Sequence, residues 1–168
     1  MPHASHKLSL FLVPADPEWI PDAVTQERIL ELLSSKGAID GELRGAGGAN
    51  LFVEGGFYRF RFDRPEKPVM YGNRQGGYRV YCPVCGSNLA VEVGKVLKQW
   101  NEGGGRDFLC GSCAQNVPLE DWRFQPSARP GRFALVFSRV EGIVLRKEAS
   151  AWLSTAAQMD FVPVWSRG

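Results

Sequence analysis

The chain has 168 residues, 23% of them charged, and a net charge of only +2, which suits one domain or one domain carrying a smaller insert. No apolar run approaches the roughly 20 residues that span a bilayer, and residues 1–7 lack a signal-peptide pattern, so a cytoplasmic protein is expected. The near-neutral charge falls short of the basic footprint of a dedicated nucleic-acid binder.

Charge is nevertheless unevenly spread. Eight acids between residues 14 and 54 face only Arg28, Lys36 and Arg44. Over residues 55–81 the balance reverses, with Arg59, Arg61, Arg64, Lys67, Arg74 and Arg79 against Asp63 and Glu66. Fourteen arginines stand against six lysines. Arginine grips planar anions bidentately and stacks on aromatic rings, a bias that suits interfaces. Solvated faces and internal ion pairs are the plainer use of the same residues.

Residues 8–13 are apolar on both alternating faces apart from Ser9, the pattern of a strand covered on both sides and central in its sheet. Pro14, Pro17 and Pro21 hold the chain extended until Asp22, an acceptable N-cap. A helix is predicted over 23–36, with Ile29 and Leu33 on one face, Leu30 and Leu32 widening it, and Gly37 capping its end. Residues 41–56 are glycine-rich. Gly45, Gly47 and Gly48 invite a phosphate-loop reading, but no Gly-Lys-Ser/Thr ending follows and a strand comes next, so the stretch reads as a turn. Residues 51–53 and 57–62 read as strands, with Gly55-Gly56 suited to a hairpin or bulge. In 58–62 aromatics alternate with Arg59 and Arg61, as in a half-buried strand with its aromatics inward. The other reading is an aromatic and basic face for single-stranded nucleic acid.

Next come the only four cysteines, in two Cys-x-x-Cys pairs: Tyr81-Cys82-Pro83-Val84-Cys85-Gly86 and Cys110-Gly111-Ser112-Cys113. Two residues between thiolates let a tight turn aim both sulfurs at one point. Two such turns facing each other supply the tetrahedral sulfur site that zinc prefers. Pro83 fixes one φ angle, and Gly86 permits the positive φ such a turn often needs. Four protein ligands leave no open position, so one structural Zn2+ per chain is expected at Cys82, Cys85, Cys110 and Cys113. A disulfide pair, a redox dithiol or an iron–sulfur cluster fits the paired spacing less well.

This stretch resembles a zinc ribbon over about residues 79–123. The 24 residues between the pairs exceed the usual spacing of roughly 15–20, an excess that a longer hairpin absorbs. The expected order is a strand at 78–81, a knuckle, a strand at 89–93, a glycine turn at 103–105 and a second knuckle entered through 108–109. Trp100 and Trp122 would cover a small core.

Residues 133–137 form a second run apolar on both faces. A helix is predicted over 147–158, with Ala149, Trp152, Leu153 and Ala156 along one stripe, and a strand over 161–165, where Pro163 demands a sheet edge. The two ends thus share one plan: buried strand, helix, less protected strand. Together they resemble an α+β, ferredoxin-like βαββαβ scaffold formed by residues 1–63 and 127–168, with residues 64–126 as the inserted four-cysteine ribbon.

Catalysis is not expected. The only histidines are His3 and His6, no paired carboxylates or nucleophile motif stands out, and Glu120 and Asp121 read as surface charges. The expected function is a non-enzymatic zinc-binding protein acting as a protein-interaction module, whether adaptor, regulator or immunity-type inhibitor, with nucleic-acid binding as the alternative. The expected partner surface is Arg74, Tyr78, Arg79, Arg106, Trp122 and Arg123, since arginine and large aromatics dominate interface energetics.

Overall fold

A computed structural model describes residues 8–47, 51–73, 78–142 and 144–167; His3, His6, Gly48 and Arg74 lie outside the described residues. In chain order the elements are β1 (Leu8–Pro14), α1 (Ala23–Ser35), β2 (Arg59–Asp63), β3 (Val69–Tyr71), β4 (Arg79–Tyr81), α2 (Glu92–Asn101), a 3-10 turn (Leu119–Asp121), β5 (Arg123–Gln125), β6 (Arg129–Gly131), β7 (Ala134–Ser138), α3 (Lys147–Ala157) and β8 (Phe161–Arg167). The architecture is α+β with antiparallel sheets.

Four strands form the main sheet in the order β2-β7-β1-β8, each antiparallel to its neighbours. The two strands apolar on both faces are central because both faces are covered. On one side Leu10, Leu12, Phe60, Leu135 and Phe137 pack with Ile29 and Leu33 of α1 and Ala149, Leu153 and Ala157 of α3. On the other, Phe11, Val13, Ala134, Val136 and Val164 meet Tyr71 and Val69 of β3. Pro163, which has no N–H to donate, lies in β8 at the sheet edge, opposite Leu12.

The flanking helices follow their capping chemistry. Asp22 accepts the Thr25 N–H at 2.7 Å and starts α1, and Gly37, at φ +70°, ends it. In α3 the buried stripe runs Ala149, Leu153, Ala157, and Gln158 adopts the left-handed conformation at the C-cap.

Two expected strands are absent. Residues 51–53 contribute only an isolated bridge between Phe52 and Leu145, and β2 begins at Arg59 rather than 57. Phe57 instead folds inward, 5.0 Å from the Phe137 ring, and Tyr58 turns outward, half exposed. Residues 89–93 do not form a departing strand: α2 starts at Glu92. Val93, Val96, Leu97 and Trp100 recur at i, i+3, i+4 and i+7, and this helical stripe overrides the short alternation before it. Val96 and Trp100 are its buried residues.

After β2 the chain climbs through two short ladders, β3–β6 and β4–β5, into the cysteine-bearing region, and returns along the same ladders to β7. Gly131 lets β6 lie close to the sheet: a Cβ there would come within 3.1 Å of Val13 Cγ1 and 3.2 Å of Tyr71 Cε2. No helix among the described residues is long and apolar enough to cross a membrane.

Candidate metal centre

The two knuckles repeat one hydrogen-bond pattern. In the first, Gly86 N–H donates to Cys82 O at 3.0 Å, Cys82 N–H to Ser87 O at 2.9 Å, and Leu89 N–H to Val80 O at 2.8 Å. In the second, Ala114 N–H donates to Cys110 O at 2.8 Å, Cys110 N–H to Gln115 O at 3.0 Å, and Val117 N–H to Phe108 O at 2.8 Å. The turn closes through a positive φ in both, +73° at Gly86 and +57° at Ala114. Glycine takes that conformation freely, whereas alanine adopts it against the contact of its Cβ.

The pattern brings all four sulfurs to one point. Cys82 Sγ lies 3.8 Å from Cys113 Sγ, Cys85 Sγ lies 3.7 Å from Cys110 Sγ, and all four sit within 4.8 Å of one another. A tetrahedral ion with metal–sulfur bonds of about 2.3 Å has ligand–ligand edges of about 3.8 Å, so the spacing fits a single four-sulfur ion. Cys82 and Cys110 are buried, Cys113 is half-buried and Cys85 is exposed. Beneath them Val80, Leu89, Val96, Val117, Leu119 and Trp122 form a core distinct from that of the main sheet.

The electrostatics suit a cation. The Ser87 hydroxyl sits 3.2 Å from Cys85 Sγ and 3.5 Å from Cys110 Sγ, where it can donate to a thiolate. That hydroxyl, joined by the backbone N–H groups of Cys113 and Ser112, lowers the Cys110 thiol to about 6. Cys85 is lowered by the hydroxyl and N–H of Ser87. At Cys113 the Gln115 N–H favours the thiolate, but burial and the neighbouring thiols outweigh it and push the group up to about 12. Sulfurs this close resist ionising together, and a divalent ion among them removes that repulsion. Ser87 was not legible as part of the site; only its place just after the knuckle glycine hints at it.

The predicted partner-binding residues take different positions. Arg79 and Arg123 are exposed and share the outer face of the β4–β5 ladder with Tyr81 and Gln125, while Val80 and Phe124 turn inward. Tyr78 donates its hydroxyl to Asn73 O at 2.8 Å and sets its ring edge-on to Phe124. Trp122 is buried, with its indole N–H on Val117 O at 2.9 Å and Phe108 against its ring. Arg106 is held internally, by Glu120 at 3.0 and 3.1 Å and by Glu18 at 2.7 Å. Glu120 is thus an ion-pair partner rather than a free surface charge.

Glu18, in the loop between β1 and α1, joins the cysteine-bearing region to the main sheet. It accepts the Trp100 indole N–H from α2, Arg106 from the loop after α2, and Arg132 Nε at 2.9 Å from the approach to β7. The Arg106 and Arg132 guanidiniums lie 5.2 and 4.9 Å from the fully buried Trp100 ring. Burial opposes ionisation of Glu18, but the Trp100 and Arg132 hydrogen bonds and both guanidinium charges prevail and hold its carboxyl below the ordinary 4.5. Compared with protein-family models, with curated proteins and with solved structures, the chain matches none.

Proposed function

We propose that this chain is a non-enzymatic binding module whose recognition region is held rigid by one structural zinc ion. The observation that carries the reading is the closed set of four sulfurs with edges of 3.7 and 3.8 Å. Zinc bound there supplies a cross-link between the knuckles, with no position left for substrate or reactive water. All-thiolate ligation favours zinc over hard cations, and a reducing cytoplasmic compartment keeps such thiols free to bind it. The scaffold reads as ferredoxin-like; what supports this is the edge position of the strands after α1 and α3, with the strands apolar on both faces between them.

The partner is proposed to be another protein, met by the outer face of the β4–β5 ladder. Support comes from Arg79 and Arg123, exposed there beside Tyr81 and without an ion pair to any described carboxylate. Free guanidiniums beside a tyrosine on a rigid ribbon are the side chains that anchor protein interfaces. The test is capture of partners from native extract, with nuclease treatment, by the wild-type protein and by Arg79→Ala/Arg123→Ala. A protein partner that survives nuclease and binds the double variant at least tenfold more weakly supports the reading. Undiminished binding by the variant removes this surface.

A further inference from the structure

A second arginine–aromatic cluster lies on the main sheet, at the end of the β2–β7 ladder. Arg59 pairs with Ser138 in the ladder, Tyr58 N–H donates to Ser138 O at 2.8 Å, and the Ser138 hydroxyl donates to Arg59 O at 3.2 Å. Arg59 opens β2, Tyr58 just precedes it and Arg139 just follows β7, so the cluster is anchored where the paired strands end. Tyr58 is 50% exposed, and the guanidinium carbons of Arg59 and Arg139 lie 5.7 and 5.1 Å from its ring centroid. Arg44, Arg61, Arg106 and Arg132 each pair with a carboxylate, but neither Arg59 nor Arg139 does so among the described residues. The acid nearest in sequence, Glu141, aims its carboxylate at the Gly56 N–H, 3.4 Å away.

Two unpaired cations held on one ring repel each other, and an anion between them relieves that repulsion. The backbone adds a second sign. Arg139 sits at φ +47°, a left-handed conformation that costs a non-glycine residue energy and that collects at functional sites. Exposed tyrosine and arginine planes also offer stacking surfaces, which unpaired bases use and the bases of a duplex do not.

We infer that Tyr58, Arg59 and Arg139 form a contact site for single-stranded nucleic acid, with the two guanidiniums on phosphodiesters and the exposed ring and guanidinium planes stacking bases. The site is separate from the β4–β5 face and does not depend on its partner.

The test is fluorescence anisotropy of a labelled oligouridylate with the full-length, metal-loaded protein at 50 and 200 mM salt. Neutralising two phosphates of a single strand gives a log–log salt slope of about −1.4, so affinity should fall about sevenfold across that range. Arg59→Ala/Arg139→Ala should flatten the slope, and Tyr58→Ala should weaken binding roughly tenfold at both salts. Arg79→Ala/Arg123→Ala should bind the strand as wild type does, even if it has lost a protein partner. Arg139→Gly separates contact from folding, since it relaxes the left-handed backbone and should keep or raise Tm while binding falls. The inference is overturned if the wild type binds no tighter than the Arg59/Arg139 double variant, if the salt slope survives that variant, or if duplex of equal length competes as well as the single strand.

Discussion

Gly86 and Ala114 occupy the same position in the two knuckles, one with a residue suited to positive φ and one without. Ala114→Gly should stabilise the metal-loaded protein by about 1 kcal/mol, and Gly86→Ala should destabilise it by about 1–2 kcal/mol. Urea unfolding of the two variants checks the signs. Equal or reversed shifts would mean that the positive φ values are not what closes the turns. At this scale the cysteines were legible because ligand spacing is local, two residues within each pair. Glu18 was not, because its partners Arg106 and Arg132 lie 88 and 114 positions away and only the fold brings them together. Arg106, expected at the partner surface, is drawn into ion pairs with Glu18 and Glu120 that the sequence likewise does not display.

Among the elements, α1, α3 and the central strands were readable because their burial patterns extend over enough residues to separate a period of 3.6 from one of 2. The helix α2 was missed because its first residues follow an apolar alternation and it begins at Glu92 with no side-chain cap. It also carries Gly94, exposed and with no atom within 4 Å of an added Cβ. Gly94→Ala should therefore stabilise the protein by about 0.5–1 kcal/mol, through reduced freedom of the unfolded chain and better helix propensity. Thermal unfolding of the metal-loaded variant reads this as a raised Tm. A lowered Tm would indicate that the helical assignment between the knuckles is wrong.

Across the whole molecule, the cysteine-bearing region and the main sheet have separate cores, and the Glu18 network ties them together. Because the folded Glu18 carboxyl is held below 4.5, its contribution is fully present above that value and is lost as pH falls through the folded pKa. Glu18→Gln should thus be less stable than wild type at neutral pH, with the difference closing in acid as wild-type Glu18 takes up a proton. Paired unfolding curves from pH 7 to pH 3 test this, and release of any metal held by the thiols in acid would affect both proteins alike. A difference that stays constant with pH would mean that the Glu18 charge plays no part in joining the two regions.

The zinc ion is the centre of this reading, and native mass spectrometry of the freshly purified, full-length chain tests it most directly. The expected result is one zinc per chain, lost on denaturation to leave four free thiols. A chain carrying iron, or one without metal whose cysteines are joined as disulfides, would contradict it.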